Sequence, residues 1–533
     1  MGQPPLASGH SLVEAAAPPG LALEERPGMG RVLVTARDFE PGESFFVERP
    51  LLVVPGCAVA ATYGTGPVMA ALDERHPGHT ATLDMDVLCD AFTKLERNQL
   101  DTLRGHESHG DANDYEIAQI CGAVAAIAVE QHLIEGPEAE AELAWFLRVI
   151  SVNGHTAPWA DGVAVFAWTS MFAHSCSPNA TFAIEEDEGS SKAGAAFVAA
   201  PRALCAISKG EDISMSYLPF KMLVASTAVR KKLLREQKNF DCACPRCAAM
   251  DSARALPCPG CEGFCWPAGS GAGDWCCVNC AAPPSPGQTR VQTEERLFDR
   301  LSTSFYEAED ERSVRSLLAL VDEELGPGGQ QASKHFLRAW LLHALVLRVL
   351  FELQESLRER PREAELLGPA RAGRAVAALW HLEQWVQQHA PACRHLLAEA
   401  CVVPVVRALL AARRAGEAAQ LAAEYEACLA AAYGPGDNDV RLLGNTRASC
   451  QTQPGVRMTT CEACGQKLLD GRCGAAAGSA LSCGLPVAAW CPDCDLAPFC
   501  GPECLAAGRA LHSRLCAPVR DGLQEVQAVL LAK

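Results

Sequence analysis

The sequence predicts an α+β protein in which β-rich segments flank a helical insert and are followed by a helical region and cysteine-rich segments. Short β-rich runs occupy residues 30–55 and 160–220, and an Ala-rich stretch with a helical pattern separates them at 57–150. Successive helical patterns follow at 291–435. A chain of 533 residues has room for roughly two to four domains.

The individual segments support this division. The first β-rich run, RVLVTARDFEPGESFFVERPLLVVPG, is interrupted by Pro41 and Gly42, which are typical of a turn. The second β-rich part contains GAAFVAAPRA and EDISMSYLP. In the helical region, GEAAQLAAEYEACLAAAYG has the apolar spacing of antiparallel helix pairs. A clean repeat of ~34 residues is not evident, and we interpret residues 290–445 as a TPR-like helical domain.

The charge balance excludes some functions. Lys and Arg total 46 against 64 Asp and Glu, a net charge of −18, which disfavours binding to a nucleic-acid backbone. An acidic surface suits a Lys-rich protein partner, and ordinary solubility explains it equally well. The most apolar helix, AWLLHALVLRVLF, is interrupted by His343 and Arg348, so we expect no membrane span. We expect an intracellular protein, cytoplasmic or nuclear; the basic run VRKKLLR is broken by Leu233 and Leu234 and is typical of a solvated helix.

The 27 cysteines are clustered: nine lie between Cys242 and Cys280, nine between Cys461 and Cys516, and nine are isolated. A reducing compartment excludes a disulfide scaffold. Cysteines at short spacings are then best explained as structural zinc ligands, since all positions around each ion would be filled by protein.

Three groups of ligands can be separated. In FDCACPRC, the thiolates of Cys242, Cys244 and Cys247 leave a tetrahedral site one ligand short. The second group has ribbon-like spacing within residues 251–283, with Cys265 and Cys276 as competitors. Its predicted ligands are Cys258, Cys261, Cys277 and Cys280.

The third group lies within residues 458–518 and offers eight ligands for two zinc ions, so the chain as a whole would hold about four zinc ions. Cys473 and Cys483 lie inside it and compete as ligands. The predicted ligands are Cys461, Cys464, Cys491, Cys494, Cys500, Cys504, His512 and Cys516.

Several motifs, in order, resemble one family. They are GMG at Gly28–Gly30, VISVNGHT around Asn153, GVAVFAWTSMFAHSCSPN at Gly162–Asn179, GEDISMSY at Gly210–Tyr217, and FDCACPRC. This series resembles the SMYD-type (SET and MYND domain) protein-lysine methyltransferases. The Asn153 motif corresponds to a short strand in that family.

The resemblance implies a domain plan. Residues 20–250 would form a split SET domain with a helical insert at about 57–150 and a cysteine-rich post-SET zinc segment. Residues 458–518 would form a MYND-type zinc finger. Cys176 would then be the fourth ligand beside Cys242, Cys244 and Cys247; a buried free thiol is the alternative.

The resemblance also implies S-adenosylmethionine-dependent methylation of a lysine in a histone or non-histone protein. Tyr217 would be catalytic, because its hydroxyl would orient the amine; otherwise it is a tyrosine packed at a strand end. The resemblance places these residues at the methyl donor: Gly28, Met29, Gly30, Asn153, Ala173, His174, Tyr217 and Phe240. For two of them structural roles are open alternatives, a turn at Asn153 and a cap on the post-SET zinc cluster at Phe240.

The sequence departs from the family pattern at several positions. Ala173 replaces an Asn that helps hold the donor, and Met29 and Phe166 also lack polar groups. The finger follows the helical region instead of lying inside the SET domain, with Leu505 and Arg509 where family members often carry Gln and Trp. A scaffold that acts through its zinc finger and helical region is therefore the alternative function. A redox or metal-buffering protein would explain the cysteines but not the motifs.

Overall fold

The structure is a computed structural model that describes residues 17–26, 30–57, 66–77, 83–104, 106, 116–157, 160–186, 197–238, 240–258, 260–261, 263–267, 275–277, 279–280, 288–307, 310–326, 334–359, 361–412, 414–451, 489–490 and 498–499. The described residues fall into two compact units. The first lies within Met1–Met222, Thr227–Ala249 and Ala431–Gly434. The second lies within Leu223–Ser226, Met250–Ala430 and Pro435–Lys533. No helix in these described ranges is long and apolar enough to cross a bilayer.

Short strands form the β-rich part of the first unit. They are β1 (Leu21–Arg26), β2 (Gly30–Thr35), β3 (Leu52–Val54), β4 (His155–Ala157), β5 (Gly162–Val165), β6 (Ala173–His174), β7 (Ala180–Glu186), β8 (Phe197–Ala203) and β9 (Ser214–Met215). The pairs β1–β2 and β7–β8 are antiparallel, and β3, β5 and β4 form a three-stranded antiparallel sheet. The pair β6–β9 is parallel and brings together two segments distant in sequence.

A helical insert separates β3 from β4. Its helices are α1 (Pro67–Arg75), α2 (Met85–Lys94), α3 (Arg97–Leu103), α4 (Glu116–Glu130) and α5 (Pro137–Asn153). Their apolar faces share one hydrophobic core with β3 and β5, to which Val54 and Val165 contribute. The insert is thereby attached to the sheet that leads into the β6 segment. This agrees with the helical pattern predicted from the sequence between residues 57 and 150.

The segment around Asn153 differs from the expected short strand: Asn153 is the last residue of α5. Pro137 begins this helix, and Glu138 and Glu140 in its first turn interact favourably with the helix dipole. Apolar residues at helical spacing, from Leu143 to Ile150, are buried. These local signals outweigh the extended conformation that the family pattern suggested, and the helix ends at Asn153 before Gly154.

Three further helices follow β9: α6 (Phe220–Leu223), α7 (Thr227–Lys238) and α8 (Pro245–Ala248). The basic run VRKKLLR lies in α7, where Arg230 and Leu234 are buried while Lys232 and Arg235 are exposed. This is the partly solvated helix that the sequence predicted.

The second unit begins with a small antiparallel sheet and continues as helices. Its elements are β10 (Leu256–Pro257), β11 (Phe264–Pro267), β12 (Trp275–Cys277), α9 (Gln288–Glu307), α10 (Glu311–Leu325), α11 (Phe336–Glu359), α12 (Pro361–His389), α13 (Arg394–Leu397), α14 (Val403–Ala411), α15 (Ala415–Tyr433), α16 (Asn438–Gln451), β13 (Ala489–Trp490) and β14 (Pro498–Phe499). Helices α11 and α12 pack along each other. A π-helical turn joins α13 to α14.

A buried polar cluster holds the small sheet and the helices of this unit together. Arg254, just before β10, donates two hydrogen bonds to the carboxylate of Glu294 in α9, at 2.7 and 2.5 Å. His335, just before α11, lies 3.1 Å from the same carboxylate through Nε2. Glu294 is 3% exposed, so each partner of this carboxylate contributes to keeping its charge inside the protein.

Candidate active site and thiol clusters

An open cleft of about 1070 Å³ lies in the first unit. Its lining includes the segment Phe172–Ser175, Gly30 from β2, Asn153 from the end of α5, and Tyr217 and Phe240. A cleft of this volume is at the upper end of the ~300–1,000 Å³ that small-molecule sites usually occupy. The structure therefore brings several of the residues predicted to hold a methyl donor to one cavity.

The cleft is built on the crossing of β6 and β9, and Asn179 holds that crossing. Its side-chain amide donates to the carbonyl of Asp212 at 2.9 Å, and its amide oxygen accepts from the backbone N–H of Ser214 at 2.8 Å. The N–H of Ser175 also donates to the carbonyl of Met215 at 2.9 Å. These bonds explain why a polar segment, HSCSPN, follows an apolar run: its polar groups serve a chain crossing.

Tyr217 lies in an aromatic corner of the cleft. Its ring centroid is 5.2 Å from that of His174 and 6.2 Å from that of Phe240, to which it is perpendicular. Burial raises the pKa of the Tyr217 hydroxyl, so it stays protonated at neutral pH. The hydroxyl donates to the carbonyl oxygen of Phe172. The phenol is thus held in one orientation with its oxygen available as an acceptor.

His174 connects this corner to a cysteine. Its Nδ1 atom lies 3.0 Å from the backbone nitrogen of Tyr217, and because that N–H can only donate, Nδ1 must be the acceptor. Burial lowers the pKa of His174 to about 4, so the ring is neutral and Nε2 carries the proton. Nε2 then donates to the Sγ of Cys176 at 3.3 Å. One imidazole ring joins the backbone at Tyr217 to a candidate metal ligand.

Cys176 lies among the three cysteines of FDCACPRC. The Sγ atoms of the four residues all lie within 4.8 Å of one another, and those of Cys176 and Cys247 are 3.6 Å apart. Two thiolates on a tetrahedral zinc ion with bonds of ~2.3 Å would be about 3.8 Å apart. The arrangement fits such an ion, and the role of Cys176, Cys242, Cys244 and Cys247 as ligands stays a prediction.

Within this cluster the pKa values of Cys244 and Cys247 are lowered, whereas those of Cys176 and Cys242 are raised. The neighbouring thiols, Cys176 first and then Cys242, lower the pKa of Cys247 to about 6. The guanidinium of Arg230, 1% exposed, donates to the Sγ of Cys247 at 3.6 Å, and Arg246 donates to the carbonyl oxygen of Cys176 at 3.1 Å. Two cations therefore offset the charge that four thiolates around a divalent ion would leave.

A second cluster in the second unit comprises Cys258, Cys261, Cys277 and Cys280, whose Sγ atoms also lie within 4.8 Å of one another. The pairs 258–280 and 261–277 are 3.9 and 3.6 Å apart. Backbone N–H groups of Gly260 and Gly263 donate to Cys258 and Cys261, both at 3.3 Å, and so orient these sulfurs. Cys265, considered a competitor from the sequence, is buried in β11 and is not one of these four.

Some predicted site residues cannot be placed. Gly28 and Met29 lie outside the described residues, whereas Gly30 lines the cleft with a φ of +71°. The third ligand group also lies outside the described residues; it comprises Cys461, Cys464, Cys491, Cys494, Cys500, Cys504, His512 and Cys516.

Lys238, the last residue of α7, was not predicted as a site residue. Its Nζ lies in the cleft 5.9 Å from the centroid of the Tyr217 ring and donates to the carbonyl oxygens of Ser151 and Val152, both at 3.1 Å. In the sequence it follows the basic run VRKKLLR, which is typical of a solvated helix, by three residues. Only the packing of α7 against α5 turns its amine inward.

Comparison with known proteins agrees with this site. A family model of the SET domain matches residues 30–218. The histone-lysine N-methyltransferase ASHR1 of Arabidopsis thaliana is 26% identical over 284 residues, 43% of this chain and 55% of that protein. The protein-lysine N-trimethyltransferase SMYD5 of Mus musculus is 37% identical over 17% of this chain and 20% of its own length. For the protein-lysine N-methyltransferase SMYD4 of Pongo abelii the identity is 30%, over 34% of this chain and 21% of its length.

A solved structure, "Crystal structure of the SET domain of LSMT bound to Lysine and AdoHcy", has a TM-score of 0.30 and 11% identity, over 72% of this chain and 89% of its own. The chain spans between a fifth and about half of the length of the three curated relatives above. The SET match covers the crossing strands and Tyr217, while the cleft residues Lys238 and Phe240 lie beyond its end. The chain therefore contains a SET domain and is similar, over part of its length, to lysine methyltransferases of the SMYD type.

Proposed function

We propose that this chain is an S-adenosylmethionine-dependent protein-lysine N-methyltransferase. The observation that carries the proposal is the placement of Tyr217, in a SET-domain cleft, between the ring of Phe240 and an imidazole that contacts Cys176. The names of the relatives support the reaction class, since all three are lysine methyltransferases.

The cleft suits a cationic methyl donor and a lysine substrate. The aromatic rings of Tyr217 and Phe240 line it and would attract positive charge; Glu211 also lines it, whereas Asp212 pairs with Arg26 at 3.0 Å. When bound, S-adenosylmethionine would supply an electrophilic methyl group on a sulfonium. Gly28, Met29, Gly30, Asn153, Ala173, His174 and Phe240 are the proposed donor-binding residues.

The chain's own groups would prepare the amine. A lysine with an ordinary pKa of ~10.4 is almost wholly protonated at neutral pH and is not a nucleophile. Desolvation beside Tyr217 and Phe240 would favour the neutral amine, and the Tyr217 oxygen would accept one of its N–H bonds. Alignment of this kind can lower a barrier by about 7–11 kcal/mol.

The zinc ions in this proposal are structural. One, on Cys176, Cys242, Cys244 and Cys247, would join the β6 segment to the residues after α7 and so close the cleft. The second would hold the small sheet of β10, β11 and β12. Two more would bind in a C-terminal MYND-type finger, giving about four zinc ions in all.

The remaining parts would serve protein recognition. We infer that the helical region is TPR-like and that it and the finger bind other proteins, while the substrate is a lysine-containing histone or non-histone protein. The acidic chain would then act in the cytoplasm, in the nucleus or in both. No nucleic-acid or membrane partner is proposed.

Incubation of the full chain with labelled donor and a Lys-rich protein extract tests the proposal. Label transfer that is lost in Tyr217→Phe supports catalysis. The second candidate function is a scaffold, which is favoured by the lack of a side-chain amide at Ala173 in the cleft. Calorimetry with S-adenosylhomocysteine separates the two candidates, because it measures whether the cleft binds the donor product. A folded protein with neither donor binding nor label transfer would exclude the enzyme and leave the scaffold.

A further inference from the structure

The amine of Lys238 lies close to the proposed catalytic tyrosine. It lines the same cleft as Tyr217 and lies 5.9 Å from the centroid of its ring. Phe240, two residues later, packs edge to face against that ring at 6.2 Å. A lysine of the chain itself thus already reaches the aromatic corner of the proposed active site.

The groups that face Nζ hold it in place, and none of those described carries a negative charge. From α5 come the carbonyl oxygens of Ser151 and Val152, at 3.1 Å each. From β4 comes His155, whose pKa is lowered to about 3 by burial first and then by the charge of Lys238, so it is neutral. Among the described residues, no carboxylate is within ion-pair distance of Nζ, and Asp241 pairs with Arg235 at 2.5 Å.

These contacts prepare a nucleophile. Burial lowers the pKa of Lys238 to about 8, so a substantial fraction is neutral near that pH. A neutral amine has two N–H bonds and one lone pair. Because the carbonyls of Ser151 and Val152 occupy both N–H bonds, the lone pair is directed away from α5 and is free to react.

We propose that Lys238 is a methyl acceptor of this chain's own active site, so that the protein methylates itself in cis. This inference rests on the proposed function and identifies Lys238 as one substrate of the proposed reaction. Lys238 Nζ forms a bond to the methyl carbon while the methyl–sulfur bond of the sulfonium donor breaks. The Lys238 ammonium first releases one proton to water; on transfer the electron pair of the methyl–sulfur bond stays on sulfur, giving S-adenosylhomocysteine and a monomethylammonium at Lys238.

The carbonyl contacts also set the methylation degree. A monomethylammonium retains two N–H bonds and can still donate to both Ser151 and Val152. A second transfer needs a neutral monomethylamine, which has a single N–H bond and must leave one carbonyl without a donor. Monomethylation is therefore the expected product.

The test uses the full chain with a donor that carries a deuterated methyl group, and maps the label by peptide mass spectrometry. We expect one deuterated methyl group at Lys238 and none at Lys231 or Lys232, which lie on the same helix and serve as internal controls. With saturating donor, the fraction of chains labelled per unit time should not change with protein concentration, as a reaction in cis requires. Label on the control lysines alone, or a labelled fraction per unit time that rises in proportion to protein concentration, overturns the proposal.

Variants separate this inference from the proposed function. Lys238→Arg keeps a cation for the two carbonyls but removes the acceptor, so labelling should disappear; Tyr217→Phe should also abolish it. Label transfer to the protein extract without label on Lys238 overturns the self-methylation and leaves the proposed function standing. No label on either would overturn both.

A second measurement needs no turnover. Limited acetylation with acetic anhydride reports how accessible and how neutral each lysine amine is. Addition of S-adenosylhomocysteine should slow acetylation of Lys238 and leave that of Lys232, which is exposed on α7, unchanged. Equal slowing at both, or none at Lys238, would show that the amine does not adjoin the donor and would overturn the proposal.

Discussion

The Nδ1 atom of His174 accepts a hydrogen bond from the backbone N–H of Tyr217 at 3.0 Å. The same ring donates to the Sγ of Cys176 at 3.3 Å. A change at the thiol cluster can thus reach the backbone of the proposed catalytic tyrosine through a single side chain. A zinc ion held by this cluster would thus bear directly on the geometry of the cleft.

Removal of the imidazole should therefore loosen the backbone at Tyr217. In His174→Ala, the N–H of Tyr217 loses its acceptor, which should cost about 1–3 kcal/mol in the free energy of unfolding. His174→Asn is the matched control, because its amide oxygen can take the place of Nδ1. Urea denaturation should show a smaller loss for the Asn variant; equal losses would mean that ring packing, and not this hydrogen bond, is the main contribution.

The thiol cluster predicts a loss of metal from a single substitution. Cys247→Ser removes one of four sulfurs, and the zinc content should fall by about one ion per chain, as measured by native mass spectrometry. Cys205→Ser is the control, since Cys205 is exposed and is not part of either cluster. An unchanged zinc content in Cys247→Ser would show that these sulfurs do not bind the ion.

Acid should destabilise the second unit through Glu294. Burial opposes ionisation of this carboxyl, but hydrogen bonds from Arg254 and His335 prevail and lower its pKa to about 2 from an ordinary 4.5. A depressed folded-state pKa adds stability that is complete above pH 4.5 and is lost as the pH falls towards 2. A depression of this size corresponds to about 3 kcal/mol.

Glu294→Gln should accordingly unfold more readily at neutral pH and lose less of its stability between pH 5 and 2 than the unaltered protein. Denaturation of the second unit, followed by circular dichroism over that range, measures both effects. Glu324→Gln is the control, because Glu324 pairs with Arg296 at 3.6 Å on the surface. A pH dependence in Glu294→Gln as steep as that of the unaltered chain would contradict the assignment.

Much of the site could be predicted from the sequence because its cysteines lie at the short spacings that metal ligands require. Three cysteines in FDCACPRC require a partner, and the polar segment with Cys176 offered one; the structure brings the four sulfurs together. The SET domain and the helical insert were also evident from ordered motifs and apolar periodicity. The TPR-like region, the C-terminal finger and its zinc ligands stay predictions.

Other features depend on packing that no pattern encodes. Asn153 was expected in a strand, but a helix with a Pro start and a continuous apolar face extends to it. Lys238 follows a basic run that predicts solvent exposure, and the approach of α7 to the last carbonyls of α5 buries its amine. A tertiary contact determines the environment of such a residue, so its sequence neighbours carry no signal.

Ala173 provides the sharpest test of the donor site. It lies on β6 and lines the cleft beside His174, at the position where the family carries Asn. Ala173→Asn adds an amide that can hydrogen-bond a bound donor, and a hydrogen bond worth about 0.5–1.5 kcal/mol would tighten binding roughly two- to tenfold. Calorimetry with S-adenosylhomocysteine measures this directly. Ala173→Leu adds similar bulk without polar atoms and should not improve binding. Equal affinities for the Asn and Leu variants would mean that position 173 does not face the donor, and the alanine would then no longer favour the scaffold.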